Sequence, residues 1–383
     1  MQKKKKKIEK QVNKPFDFTL CITIILLLSL GIVMVLSASA PSSLSTTGNS
    51  YTYVIRQAVF GVVGLVLMFI ISKIDYRIYK PFYKIAYVLS LIALVSVAIP
   101  GIGVTTKGAT RWIDIGFGSF QPSELAKIGL IVFYAGYLAE HKEELGFFWK
   151  GLIKSFCFLE PPIAILFFLQ DHLSASIVII AIISIMMVMA GTKIRHFLSI
   201  GLTGGSAAVA GMLLLATTSD KGSFRLDRLT TFLDPWADAT GDGWQVIQSL
   251  YAIGSGGLFG VGLGESKQKY LYIPEPHNDF IFAIIAEELG FIGCLVIIAL
   301  FAVFIWRGIL IAIKAPDSFG SLLAVGITSL VGIQAIINIA VVTSSMPATG
   351  MTLPFFSYGG TALMILLCCM GILLNISRAG SKV

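Results

Sequence analysis

Again and again this chain runs through some twenty residues with hardly a charge, and no other property restricts its folding so severely. About 20 mostly apolar residues in a helix match the ~30 Å hydrocarbon thickness of a bilayer. Only helices or closed barrels satisfy their backbone polar groups there. The runs fall at 16–37, 53–72, 82–99, 122–140, 152–170, 173–190, 196–217, 278–306, 320–343 and 355–376. With 56% apolar and 13% charged residues, the chain reads as an all-α, polytopic integral membrane protein of about ten transmembrane helices. The turn at Gln170 to Leu173 is short and polar, so 152–190 reads either as a tight hairpin or as including a re-entrant piece.

Lys and Arg near helix ends are retained on the cytoplasmic side. Alternating from a cytoplasmic N-terminus leaves most of the 29 basic residues inside, beginning with Lys3 to Lys7. The exceptions are Arg56, Lys107, Arg111, Lys127, Lys221, Arg225, Arg228, Lys267 and Lys269. Both termini are therefore expected in the cytoplasm: a basic tail over 1–15, a membrane domain over 16–377 and a second tail over 378–383. The net charge of +8 is topological and calls for no nucleic acid, although the N-terminal lysines suit anionic lipid. A signal peptide is the alternative for the first segment, with Ala38-Ser39-Ala40 resembling a cleavage site. The apolar run is too long for an ordinary signal core, which favours a retained first helix. Cys21, Cys157, Cys294, Cys368 and Cys369 all fall in predicted spans, so no disulfide framework is expected, and no metal-ligand spacing appears.

Two external regions, 100–121 and 218–277, are long enough to hold chemistry. The segment LYIPEPHNDFIFAIIAEELG at 271–290 sets Glu275, His277 and Asp279 at the mouth of an apolar helix, and ionisable groups at a membrane entrance imply a site. Pro274 and Pro276 stop any earlier helix, leaving Asn278 or Asp279 to cap the one that follows. A carboxylate there can instead accept a proton from a hydroxyl. Deeper in, Glu287 and Glu288 must face a polar interior or pair, since lipid exposure costs several kcal/mol. In the first external region Pro122 suits a first helical turn. Glu124 and Lys127, three apart, can pair on one face or contact substrate. Trp112 reads as an interfacial residue or a cavity wall. Arg225 and Arg228 can hold phosphate oxygens with their forked guanidinium groups or pair with Asp227 and Asp234. The glycine-rich run from Gly254 to Gly264 allows close backbone approach to a ligand or another helix, or simply turns the chain.

Five co-linear motifs carry a resemblance over essentially 16–377: GATRWI at 108–113, QPSELAK at 121–127, FLDPWAD at 232–238, the long stretch from Gly241 to Gly290, and TLPFFSYGGTA at 352–362. Together they resemble the SEDS family of FtsW, RodA and SpoVE. The GVGLGESKQK portion is more similar to the FtsW and SpoVE branch than to RodA. The resemblance implies a peptidoglycan glycosyltransferase that polymerises lipid II into nascent glycan outside the bacterial cytoplasmic membrane, in division or sporulation. It also implies a class B penicillin-binding protein as partner to supply the transpeptidase, with other divisome proteins around it. The family's essential aspartate carries over onto Asp279 and its loop tryptophan onto Trp112. Asn278, Thr361-Ala362 and Gln170-Asp171-His172 depart from the family's usual residues.

The residues suit that chemistry. An acceptor hydroxyl attacking an anomeric carbon needs one base, and Asp279 is the candidate. Unlike a glycosidase leaving group, pyrophosphate departs as a stable anion, so cations rather than an acid must neutralise it. Arg225, Arg228, Arg111 and Lys127 are candidates, with a divalent ion such as Mg2+ or Mn2+ as the alternative. The polyprenyl tail would lie in an apolar groove open to the bilayer. The rival reading is a lipid II flippase, which would spread functional charges across depth between inverted repeats. A third, a noncatalytic division scaffold, would make Asp279 structural.

Overall fold

The computed structural model describes residues 15–99, 101–106, 109–114, 116, 119–197, 231–241, 243–270 and 272–380. Ten α-helices of eleven or more residues form the body among these residues: α1 Phe18–Thr47, α2 Thr52–Ile71, α3 Tyr83–Ser96, α4 Pro122–Glu140, α5 Lys154–Ala164, α6 Leu173–Ala190, α7 Trp244–Gly256, α8 Ile281–Lys314, α9 Ser318–Val342 and α10 Gly360–Gly380. Among the described residues, eight helical segments are long and apolar enough to cross a membrane. The expected span at 122–140 is α4, which carries Glu124, Lys127 and Glu140 and is not one of the eight. The expected span at 196–217 lies largely outside the described residues.

α1 and α9 start at side-chain caps. Asp17 caps α1 by accepting from the Leu20 N–H, and Gly48, at φ 73°, ends it in the left-handed conformation. Asp17 also pairs with Arg307, and its N–H donates to Ser377 Oγ. The start of α1, the end of α8 and the end of α10 thus meet at one end of the bundle. Asp317 caps α9 there and pairs with Arg77 at 2.9 Å. α9 and α10 are the most buried spans, whereas α2 and the 76–96 segment turn most of their surface outward, as lipid-facing helices do.

The first external region adds a small element to the all-α reading: β1 Gly103–Thr106, β2 Ala109–Asp114 and β3 Ser119–Phe120 form an antiparallel sheet in the order β1-β2-β3. The span at 152–170 is a composite, with α5 flanked by π-helical turns at Phe148–Ile153 and Ile165–Leu169 and with Pro161 and Pro162 inside it. It meets α6 in a tight hairpin, where Asp171 has φ 48°. Neither Asn278 nor Asp279 caps α8, because that helix begins at Ile281 with Phe280 ahead of it and no side-chain cap. Finally, α8 is two helices end to end, broken at Gly290 (φ 66°, ψ −168°).

The glycine-rich run explains the break. Gly257, Gly260, Gly262 and Gly264 all have positive φ, and the loop they form crosses α8 at Gly290. A Cβ on Gly260 would lie 2.1 Å from the Glu288 carbonyl, and one on Gly290 2.3 Å from the Gly260 nitrogen. Only glycine permits so close a crossing. The break frees two carbonyls and two N–H groups, and the loop takes up all four. Val261 and Gly262 donate to Glu287 and Glu288, while Phe291 and Ile292 donate to Gly257 and Leu258.

Candidate active site

Asp279 sits in a turn whose backbone is anchored carbonyl by carbonyl. The His277 carbonyl accepts from the Tyr358 N–H (2.8 Å), that of Asn278 from Ser357 Oγ (2.6 Å) and that of Asp279 from Asn338 Nδ2 (2.7 Å). Asn338, fully buried on α9, also donates to the Met351 carbonyl at 2.6 Å. Ser357 Oγ in turn accepts from the Leu353 N–H. The 351–359 loop is held from α2, where buried Gln57 donates to the Ser357 carbonyl and accepts from the Gly359 N–H. The half-buried Asp279 carboxylate lies over Gly350, 3.6 Å from where a Cβ would stand. Gly350 has φ 65°, so a side chain there would strain the backbone that packs against the carboxylate.

His277 is buried with its ring against Tyr53 and Tyr358, at 5.2 and 5.7 Å between centroids. Burial pushes its pKa down to about 4 against a smaller opposing pull from Glu275, so the ring is neutral near pH 7. Glu275 is exposed, has φ 50° and accepts from Asn278 Nδ2 at 3.0 Å.

A cleft of about 500 Å³ opens beside this turn. Ser357 and Tyr358, which anchor the Asp279 turn, form part of its wall, together with Glu124 of α4 and Gln334 of α9. Pro122 does occupy the first turn of α4, and Lys127 Nζ meets Glu124 Oε1 at 2.8 Å as their spacing predicts. The lysine side chain is only 1% exposed and the glutamate 19%. A cation so deeply buried is costly unless paired, and Glu124, which lines the cleft, supplies that pair.

Arg111 and Trp112 lie on β2, where Trp112 faces Val104 in register. The Arg111 guanidinium donates to the carbonyls of Gln170 and Asp171. Its expected role as a phosphate ligand thus competes with a structural one, tying the sheet to the α5–α6 hairpin. That hairpin also carries buried His172, which sequence reasoning did not select. Burial, then the charges of Arg111 and Lys127, push its pKa down to about 3. Its Nδ1 meets no hydrogen-bond partner among the described residues. The available signal was the polar triplet Gln170-Asp171-His172 between two apolar runs. Arg225 and Arg228 lie outside the described residues.

Glu287 and Glu288 pair inward, as membrane depth demands. Lys269 Nζ meets Glu288 Oε1 at 2.9 Å and Ser37 Oγ at 3.1 Å, and Ser37 Oγ also donates to Glu288. Glu287 accepts from Ser266 Oγ and the Lys267 N–H. Lys269, one of the basic residues expected outside or near an outer helix end, is buried.

Residues 18–382 match the model of the FtsW, RodA and SpoVE family, described as a cell cycle protein. The chain is 44% identical to stage V sporulation protein E of Bacillus subtilis (strain 168), covering 94% of this chain and 97% of that one. It is 40% identical to a protein of Geobacter sp. (strain M18) named "Probable peptidoglycan glycosyltransferase FtsW", covering 94% and 96%. Among solved structures it superposes with a TM-score of 0.78 on a chain from a peptidoglycan synthase complex that coordinates polymerization and crosslinking, at 27% identity and covering 96% and 99%. Rod shape determining protein RodA of Thermus thermophilus gives 0.68 at 26% identity, covering 96% and 98%.

Proposed function

Because the chain belongs to the FtsW, RodA and SpoVE family, we propose that it is a multi-pass membrane peptidoglycan glycosyltransferase that polymerises lipid II, with Asp279 as its general base. Names given to its relatives support the activity. The observation that carries the residue assignment is the anchoring of three successive carbonyls at 277–279 beside a cleft. It holds a carboxylate without using that carboxylate to cap α8.

In this reading the acceptor sugar hydroxyl gives its proton to Asp279 as its oxygen attacks the anomeric carbon of the donor. The bond to the lipid pyrophosphate breaks on the opposite face, and the α-linked donor becomes a β-linked glycan. Proton removal by a positioned base contributes ~10²- to 10⁴-fold. Lys127, paired with the cleft-lining Glu124, is the described cation that this reading assigns to the departing pyrophosphate. Arg225 and Arg228 are further candidates, and Arg111 contributes chiefly by holding the hairpin that bears His172. Among the described residues no three His, Cys, Asp or Glu side chains cluster as metal ligands. Any Mg2+ or Mn2+ would therefore be held in part by substrate phosphate. A class B penicillin-binding protein would cross-link the product. The distribution of basic residues supports a reading with Asp279 outside and both termini inside.

Asp279→Asn preserves shape and removes the base. The purified variant should insert and fold normally yet lose at least ~10²-fold in glycan synthesis from lipid II. A rate within about threefold of the parent, on that same scale, would remove Asp279 from the mechanism.

A further inference from the structure

The loop that threads the break in α8 carries an apolar surface that catalysis does not use. From Gly256 to Gly264 the sequence GGLFGVGLG has no charged or hydrogen-bonding side chain. Phe259 is 80% exposed and Leu258 62%, with Val261 and Leu263 also exposed. Such a patch on a water-facing loop would be costly and prone to association.

Helix length places the loop. α8 has 34 residues, about 51 Å at 1.5 Å per residue, whereas the hydrocarbon core takes about 20 residues or ~30 Å. Counting from Lys314 at the far end, the core is traversed near Leu295. Gly290 and the loop crossing it therefore lie at the hydrocarbon boundary on the Asp279 side, not in bulk water. The patch is continuous with the exposed side chains of Phe291, Ile292, Leu295 and Val296 on α8 below it. Between loop and helices runs a groove of about 620 Å³ whose lining includes Leu30, Phe259, Ile292 and Val296.

Irregular backbone is excluded from hydrocarbon unless its polar groups are satisfied, and at the crossing five of them are paired within the protein. The N–H groups of Gly260, Val261 and Gly262 donate to Gly256, Glu287 and Glu288, while the carbonyls of Gly257 and Leu258 accept from Phe291 and Ile292. The broken helix supplies what water would otherwise supply.

We infer that residues 257–263 form a membrane-dipping loop whose Leu258, Phe259, Val261 and Leu263 pack among phospholipid acyl chains in the leaflet on the Asp279 side. The segment expected to be an external loop is thus anchored in lipid through its glycine-rich part. Only the name of that leaflet, the outer one, rests on the proposed function.

The test is depth. Full-length protein with Cys21, Cys157, Cys294, Cys368 and Cys369 changed to Ala is spin-labelled at Phe259→Cys, reconstituted in phosphatidylglycerol nanodiscs, and probed by power saturation. The label should collide with oxygen several-fold more than with an aqueous nickel chelate. A label at Glu143→Cys, in the charged turn at the opposite end, should show the reverse. If the cysteine-free chain does not fold, Phe259→Trp in the otherwise unaltered chain gives the same reading. Its added emission should be quenched by brominated acyl chains and not by aqueous iodide. Preferential access by the nickel chelate or iodide would overturn the inference. So would protection from both classes of quencher, which would mean that protein covers the loop.

Discussion

Replacing Lys269 with Met should be among the most damaging changes available far from Asp279. The Lys269 side chain is 4% exposed and that of Glu288 is 0% exposed, with 2.9 Å between their charged atoms. At an effective dielectric of about 20, unit charges at that distance attract by about 6 kcal/mol. Desolvation costs several kcal/mol per ion, so the intact pair contributes little net stability. Half the pair is another matter, because Glu288 would keep its burial and lose its cation. The hydroxyl of Ser37 and the N–H of Ser266 would still donate to it. A loss of about 3–5 kcal/mol follows, a large share of the ~5–15 kcal/mol that ordinarily separates folded from unfolded protein. Lys269→Met with Glu288→Gln removes both charges while leaving Ser37 and Ser266 an acceptor, and should recover most of the loss. Unfolding midpoints of the parent, both single variants and the double variant in one lipid environment form the cycle. A Lys269→Met cost below about 1 kcal/mol, or single-variant losses that simply add, would refute a buried charge pair bracing α8.

Asn338→Leu would leave the carbonyls of Asp279 and Met351 without their shared donor, at about 1–3 kcal/mol each. Polymerisation should fall well beyond any loss of folded protein, and a parental specific activity would contradict the anchoring role. Gly290→Ala should fail to give stable protein, since it forces a side chain into both a positive φ and the Gly260 backbone, and normal yield with an unchanged unfolding midpoint would argue against the crossing. His277 has a folded pKa near 4 against about 6.5 when unfolded, so the unfolded state binds a proton first. Its effect leaves stability full above about pH 6.5 and lowers it by about 3 kcal/mol as pH falls towards 4. His277→Gln should flatten that part of the pH profile, measured as the difference in unfolding midpoint from the parent.

Helices whose boundaries depend on local chemistry were readable from local residues. The span expected at 173–190 coincides with α6, because a polar turn precedes it and Gly191 follows it. The break in α8 was hidden because an apolar run passes unchanged through Gly290, and the loop that fills the break begins over thirty residues earlier. Asp279 was legible as a carboxylate at a membrane entrance, and Glu124 with Lys127 as a pair three residues apart. The anchors of Asp279 were not, since Asn338, Ser357 and Tyr358 are distant in sequence and carry no pattern of their own. The role of Arg111 in tying the α5–α6 hairpin depends on where two backbone carbonyls end up, which periodicity does not encode. The sheet at 103–120 escaped notice because neither Gly103–Thr106 (GVTT) nor Ala109–Asp114 (ATRWID) shows the strict apolar–polar alternation that marks a half-buried strand.

The anchoring of 277–279 by the 351–359 loop also sets an order of events during synthesis. Asp279 leaves the ribosome about 100 residues ahead of the end of α10, an interval of about 5–20 s at 5–20 residues per second. Asn338 follows partway through it and Ser357 and Tyr358 later still, so for most of that interval the anchors of the turn that carries the carboxylate are incomplete. Insertion of the final helix closes the 351–359 loop between Gln57 and Asn338, bringing an early span and a late one onto the same few carbonyls. A partly made chain in the membrane therefore lacks the anchored 277–279 turn, and under the proposed role of Asp279 chains stalled before α10 would not start glycan strands.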